Sequence, residues 1–325
     1  MSLTHKIYKA KDMAAMTLAA VSNNGLIPSA HRGIVLIEPS SICNLACPLC
    51  PTGTSTLRRA NKFIPVDIFT RIVELTTPFA EGYVLNLFGE PMFHPEIETL
   101  FDQITHLPVW LSTNLNYQEK LAEQLARRKN FHVICSVDTL DPAQYSAYRV
   151  NGNWDTIMRN LDVLSRGTCH VHPQFLVKPG EFREQDFLRF AEERGIPHKN
   201  IIIKTKMENF RLDPTDKPRP GKCHSAYADL YFNCDGHLLP CCNNVREELF
   251  MGHVNDFATL RDLLENAQAV AIRKGLARNK NRYAGCGNCN GLDFWRIQFP
   301  EYVTTLRRSL LGRGAEQERP QRMDF

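Results

Sequence analysis

From residue 34 to residue 206 the chain alternates short β-branched runs with amphipathic stretches of helical length. Strands are expected at 34–38, 83–87, 109–112, 132–137, 171–177 and 200–204, where Val, Ile, Leu and aromatic residues crowd together. Between them, 66–76, 95–105, 117–128, 153–165 and 184–194 repeat apolar residues at three and four positions, which gathers them on one helical face. Pro, Gly, Asn or Asp bounds each stretch. Parallel strands need a long crossover, usually a helix, so this alternation predicts βα units around a parallel sheet.

The alternation ends in a polar, proline-bearing passage, Asp213-Pro214 and Lys217-Pro218-Arg219-Pro220-Gly221, which reads as a linker. Beyond it, 229–233 and 238–240 flank Asp235-Gly236, a hairpin signal. Residues 256–276 have helical periodicity, and Arg307, Arg308, Arg313, Arg319 and Arg322 mark a basic, solvated tail. The expected organisation is an N-terminal extension (1–32), a βα region (33–208), a linker (209–222), a small cysteine-rich α+β domain (223–292), and a C-terminal helix and basic tail (293–325).

Of 325 residues, 43% are hydrophobic and 23% charged, which excludes a fibrous or mainly disordered chain. A net charge of +4 falls short of a nucleic-acid-binding balance. No apolar run reaches the ~18 residues that cross a bilayer, and the N-terminus lacks the apolar region of a secretory signal. A cytoplasmic protein without membrane or nucleic-acid partners is expected. Eleven cysteines are then informative, because thiols stay reduced there and a cluster of them means metal, redox chemistry or a nucleophile.

Cys43-Asn-Leu-Ala-Cys47-Pro-Leu-Cys50 directly follows the first strand, at the carboxyl end of a parallel sheet, where such folds keep their chemistry. Soft thiolates suit zinc or an iron-sulfur cubane, and a cubane held by three cysteines leaves one iron open. A structural zinc knuckle fits less well, since no fourth ligand stands at finger spacing.

This C-x3-C-x2-C arrangement resembles the radical S-adenosylmethionine superfamily. The resemblance implies a partial (β/α)6 TIM-like barrel followed by a small α+β auxiliary-cluster domain. It further implies a 4Fe-4S cluster on Cys43, Cys47 and Cys50, and S-adenosylmethionine chelated to the open iron and cleaved to a 5'-deoxyadenosyl radical. Leu49 matches the family's apolar position against adenine. Asn86-Leu87-Phe88-Gly89-Glu90-Pro91 is similar to the family's Gly-Gly-Glu motif with Phe88 replacing the first glycine, so Gly89 and Glu90 are assigned to the cofactor and Glu90 to its amino group. Ser112 and Asn114, closing the third strand, and Ser136, closing the fourth, resemble places that line the cofactor pocket. Arg149 resembles an arginine that engages the methionine carboxylate bidentately.

The late cysteines, Cys223-x17-Cys241-x44-Cys286-x2-Cys289, look like the auxiliary-cluster modules of the superfamily, SPASM and the shorter Twitch. Only 36 residues follow Cys289 and none is cysteine, so one auxiliary 4Fe-4S cluster is expected on these four residues. A zinc ribbon is the competing pattern. Cys242, beside Cys241, is left as a candidate catalytic thiol, and either member of the pair is open as the ligand; Cys234 substitutes if the hairpin register differs. Cys135 and Cys169 read as buried small hydrophobes, His94 and His237 as turn residues.

Three outcomes fit a substrate radical here: oxidation through the auxiliary cluster, epimerisation with Cys242 returning hydrogen, or dehydration. About 32 residues precede the first strand, too few for a folded leader-recognition module. The expected substrate is therefore a small polar molecule such as a sugar, aminocyclitol or nucleoside, with peptide or protein modification as the alternative. A flavodoxin or ferredoxin-type protein is the expected electron donor.

Overall fold

The structure, a computed structural model, describes residues 22–27, 32–57, 60–178, 180, 182–205, 221–244, 249–287 and 289, together with the backbone of 321–323. The βα region runs β1 (Gly33–Ile37), α1 (Val66–Thr76), β2 (Ala80–Leu85), α2 (Ile97–Asp102), β3 (Val109–Thr113), α3 (Glu119–Ala126), β4 (Phe131–Asp138), α4 (Pro142–Tyr148), α5 (Trp154–Ser165), β5 (His170–Val177), α6 (Glu184–Glu192) and β6 (Ile202–Thr205). It is followed by α7 (Ser225–Ala228), β7 (Leu230–Phe232), β8 (Leu238–Leu239), α8 (Leu260–Glu265), α9 (Ala267–Arg278) and β9 (Gln321–Met323). The architecture is an α/β partial barrel with a small auxiliary domain. By contacts the chain divides into two compact units, one of 37–66, 82–208 and 315–325, the other of 1–36, 67–81 and 209–314.

In the first unit the strands run in the order β2-β3-β4-β5-β6-β9, and each neighbouring pair is parallel. Val109, Leu111, Phe131, Val133 and Cys135 are fully buried on one sheet face, and the Phe131 ring meets Phe101 of α2 edge-on at 4.7 Å. Alternation sends Trp110, Ser112, His132 and Ser136 to the opposite face, where Trp110 stacks on His132 at 4.4 Å. The β4–β5 register shifts between Ser136 and Asp138, and Asp138 has a φ of 66°. Such an irregularity re-aims a side chain at a sheet's working end.

In the second unit α1 covers the predicted residues and buries Ile68, Phe69, Ile72, Val73, Leu75 and Thr76. Arg71 Nη2 donates to Phe257 O at 2.8 Å, and Ile34 N to Asp229 Oδ1 at 2.9 Å. The Asp235-Gly236 signal forms the antiparallel β7–β8 hairpin, whose turn is held by Asn233 Oδ1 accepting from Asp235 N and His237 N.

Three expectations are corrected. The periodicity of 256–276 is not one helix: it breaks at Asn266, whose ψ of 154° is extended. Asn266 Oδ1 caps Ala269 N while its Nδ2 donates to Met251 O and Leu263 O, so the side chain serves both sides of the break. Helix α4 was not expected; it starts at Pro142 with Asp141 Oδ1 capping Ala143 N at 2.8 Å, and only Tyr145 in it is buried. Arg322 lies on β9, paired with Ile203 of β6, rather than in a solvated tail; extended backbone there satisfies an edge that would otherwise be left open. Arg307, Arg308, Arg313 and Arg319, and the 209–220 linker, lie outside the described residues.

Candidate active site

The Cys43–Cys50 segment leaves β1 and folds back on itself. Cys50 N donates to Cys47 O at 3.1 Å, and Gly53 packs so closely that a Cβ there would stand 2.5 Å from Cys47 O. Ala46 N donates to Val150 O at 3.0 Å, tying the loop to the residue after Arg149. Cys47 is buried, Cys43, Leu49 and Cys50 half-buried.

Two of the three sulfurs meet N–H donors. Cys43 Sγ faces Leu45 N at 3.4 Å and Asn114 Nδ2 at 3.7 Å, and Cys47 Sγ faces Arg149 Nη1 at 3.8 Å. Burial pushes the Cys43 thiol up to about 11 and raises Cys47 as well, the latter opposed by the Arg149 charge. Without a metal these thiols hold their protons; donors aimed at sulfur favour the thiolate that a metal requires. No three His, Cys, Asp or Glu among the described residues lie close enough to share one ion. Three soft sulfurs, two of them met by N–H donors, suit an iron-sulfur cluster with one iron left open. The donor set fits a cluster on this loop.

Gly89 has a φ of 87°, and a Cβ there would stand 2.4 Å from Ser40 O. Only glycine lets the turn lie against the strand-β1 exit at that angle. Phe88, in place of the family's first glycine, gives its N–H to the buried Glu38 carboxylate at 3.1 Å. Glu90 is 2% exposed. Its Oε1 accepts from Thr113 Oγ1 at 2.7 Å and Met92 N at 3.2 Å, and its Oε2 from Asn114 N at 2.7 Å. Burial raises its carboxyl to about 7 against these three hydrogen bonds. Each carboxylate oxygen accepts two bonds, so Oε2 keeps one direction for a further donor.

Asn114 is committed to the loop as well: Nδ2 donates to Asn44 Oδ1 at 2.9 Å and Oδ1 accepts from Asn116 N at 2.7 Å. Ser112 and Ser136 share the face of Trp110 and His132, Ser112 half-buried and Ser136 buried. Arg149 caps α4, and its Nε donates to Asp138 Oδ2 at 2.5 Å. Burial alone would lower the guanidinium, but the Asp138 charge and hydrogen bond raise it overall. Asp138 Oδ1 is buried with no partner. Sequence reasoning singled out Ser136 of this strand and missed the acid two residues on; the signal was a strand-end Asp eleven residues before the arginine.

The second group lies in the other unit. Cys223, Cys241, Cys286 and Cys289 line one cavity with Pro240, Asn244 and Lys280, among others, while the exposed Cys242 does not line it. Burial, followed by the neighbouring Cys242 and Cys223 sulfurs, raises the Cys241 thiol well above its usual range. Four thiols around one cavity fit a fully ligated cluster. Cys234, Cys135 and Cys169 are buried elsewhere. His94 is buried, with Nε2 on Ile64 O at 2.7 Å and Nδ1 accepting from Glu96 N, and is structural. His237 packs against Phe250 and His253.

This fold and this pair of cysteine groups define an iron-sulfur enzyme that binds S-adenosylmethionine. Residues 37–193 match the radical SAM superfamily. Residues 223–290 match the SPASM iron-sulfur cluster-binding domain, and the chain belongs to the superfamily's branch that carries this module. Among curated proteins it is 24% identical over 157 residues to GTP 3',8-cyclase of Mannheimia succiniciproducens, covering 46% of this chain and 47% of that one. The chain spans about half the length of the curated relatives it matches. Among solved structures, Streptococcus suis SuiB bound to S-adenosylmethionine superposes with a TM-score of 0.61 at 14% identity, over 79% of this chain and 70% of that one. Native anSMEcpe with bound AdoMet gives 0.56 at 14% identity, over 85% and 99%. Among the described residues no helix is long and apolar enough to cross a membrane.

Proposed function

We propose that this enzyme uses its 5'-deoxyadenosyl radical to modify a peptide or protein substrate. Cys43, Cys47 and Cys50 hold the cleaving cluster, and Cys223, Cys241, Cys286 and Cys289 an auxiliary 4Fe-4S cluster. When bound, the reduced first cluster and S-adenosylmethionine together supply the radical that takes a hydrogen atom from a substrate C–H bond. The chain's own residues bind and orient. Glu90 Oε2 would accept from the cofactor's ammonium, Leu49 would meet adenine, and Ser112 and Ser136 would offer hydroxyls from the sheet face. Arg149, held by Asp138 and facing Cys47, would engage the methionine carboxylate. Asn114 acts through the loop, steadying Cys43. A flavodoxin or ferredoxin-type protein delivers the electron.

One observation carries the cofactor assignment: N–H donors from Leu45, Asn114 and Arg149 converge on two loop sulfurs beside a buried Glu90 with one acceptor direction to spare. The choice of a peptide is supported by the two superposed proteins, solved with the precursor peptide SuiA at a TM-score of 0.60 and with a Cp18Cys peptide at 0.54. A small polar substrate is the second reading, favoured by the match to GTP 3',8-cyclases, which covers less than half of this chain. With either substrate, Cys242 is the candidate thiol for returning hydrogen in an epimerisation.

The test is anaerobic reconstitution with iron, sulfide, reductant and S-adenosylmethionine, offered deuterated peptide libraries or deuterated aminocyclitols and nucleotides. Deuterium appearing in 5'-deoxyadenosine with peptides alone supports the proposal. Transfer from the small molecules alone overturns the peptide assignment and leaves the radical chemistry standing.

A further inference from the structure

Lys280 is 1% exposed, an unusual place for an ammonium, since burying a charge is costly unless it is well hydrogen-bonded. It lines the same cavity as Cys223, Cys241, Cys286 and Cys289, and is the one charged side chain among the described residues lining it. Its Nζ donates to Cys289 O at 2.6 Å, Cys286 O at 2.9 Å and Gly287 O at 3.3 Å. Its own backbone N donates to Gly221 O at 3.1 Å, and Cys223 N to Leu276 O at 2.9 Å, so the segment entering Cys223 is fastened to the end of α9 from both sides. The local sequence explains the burial. Helix α9 ends at Arg278, Asn279 Oδ1 caps Asn281 N, and the tight turn from Lys280 to Arg282 directs the lysine stem inward.

We infer that Lys280 is a positioning residue of the auxiliary centre: its ammonium gathers the carbonyls of the Cys286–Cys289 turn and leaves a fixed positive charge beside the cluster. This rests on the reading of those four cysteines as ligands of a 4Fe-4S cluster. The ammonium's N–H groups are directed at these three convergent carbonyls, with Asn281 Oδ1 also within 3.5 Å, which ties the backbone carrying the C-x2-C pair to the end of α9 before any metal arrives. Electrostatics supplies the second effect. Four thiolates make the bound cluster anionic, and one-electron reduction makes it more so, hence a cation within the ligand loop favours the reduced form. At an effective dielectric of about 20, a unit charge within ~10 Å of a cluster is worth about a tenfold change in the reduction equilibrium, which is about 59 mV for a one-electron couple.

The experiment uses the full chain with Cys43, Cys47 and Cys50 all replaced by Ala, so that the auxiliary cluster is observed alone. Iron and sulfide are assayed after anaerobic reconstitution, and the potential is read by dithionite titration followed by electron paramagnetic resonance. Adding Lys280→Met is expected to move the potential negative by a tenfold or greater change in the equilibrium. Lys280→Arg, which keeps the charge, is expected to stay near the parent value. An unchanged potential in Lys280→Met overturns the proposal. If Lys280→Met folds by circular dichroism but takes up no cluster, retention by Lys280→Arg upholds the role of the cation in holding the turn, and loss in both overturns it. A parent protein that binds no iron-sulfur cluster sinks the ligand assignment itself, and the inference with it.

Discussion

Replacing Glu90 by Gln tests the electrostatics of the cofactor loop without any cofactor present. The carboxyl is 2% exposed and is raised from 4.5 to about 7, burial outweighing the hydrogen bonds from Thr113, Asn114 and Met92. An acid that ionises later in the folded chain leaves the unfolded chain holding fewer protons between those two values. Stability therefore falls as pH rises: the penalty is absent below 4.5, grows between 4.5 and about 7, and is complete above. At about 1.4 kcal/mol per pH unit the full penalty comes to about 3 kcal/mol. Glutamine does not ionise, and its fixed cost of turning an amide towards Asn114 N–H cancels when two pH values are compared. Urea unfolding of the metal-free protein, followed by Trp110 and Trp154 fluorescence in a Trp295→Phe background, reads the unit that contains Glu90. Relative to Glu90→Gln, the parent is expected to lose about 3 kcal/mol between pH 4 and pH 8. A difference that stays flat with pH, or one that favours the parent at high pH, refutes the reasoning.

Three further outcomes follow from the geometry. Gly89→Ala forces a Cβ against Ser40 O at a left-handed φ; strain of about 1 to 3 kcal/mol, with the contact added, displaces Glu90, and binding of S-adenosylmethionine measured by equilibrium dialysis should fall at least tenfold. Asp138→Asn removes one partner of a buried ion pair and should cost about 3 to 5 kcal/mol in urea unfolding, with Asp138→Glu recovering part of it. Cys241→Ala should reduce the iron content by the auxiliary cluster while Cys242→Ala leaves it unchanged, because only Cys241 lines the four-cysteine cavity; iron and sulfide assay decides.

How far the sequence reached depends on what each signal measures. Helix α1 was legible to the residue because six of its eleven positions are buried on one face, and β3 and the first half of β4 were clear because burial alternates along them, whereas β5, buried at nearly every position, was marked only by its apolar run. Helix α4 was not, since a seven-residue helix burying only Tyr145 writes no periodic stripe; its signal was the Asp141-Pro142 cap. The break at Asn266 was hidden because apolar spacing continues through it, and only the side chain's bonds on both sides reveal a cap rather than a helical interior. At the site, cysteine spacing located both thiol groups, since loop ligands close in sequence are close in space. What it did not reveal were three buried contacts of charged side chains: Asp138 on Arg149, Glu38 on the Phe88 amide, and Lys280 under the Cys286–Cys289 turn. Each is a charged residue whose meaning comes only from burial, which no local pattern records.

The most direct measurement is S-adenosylmethionine cleavage by anaerobically reconstituted protein, with 5'-deoxyadenosine quantified beside bound iron and sulfide. The parent should contain two four-iron clusters and form 5'-deoxyadenosine on reduction. With Cys43, Cys47 and Cys50 all changed to Ala, formation should cease while the auxiliary cluster's spectrum persists. Cleavage that survives this triple change, or a colourless parent protein holding zinc on those cysteines, would contradict the account.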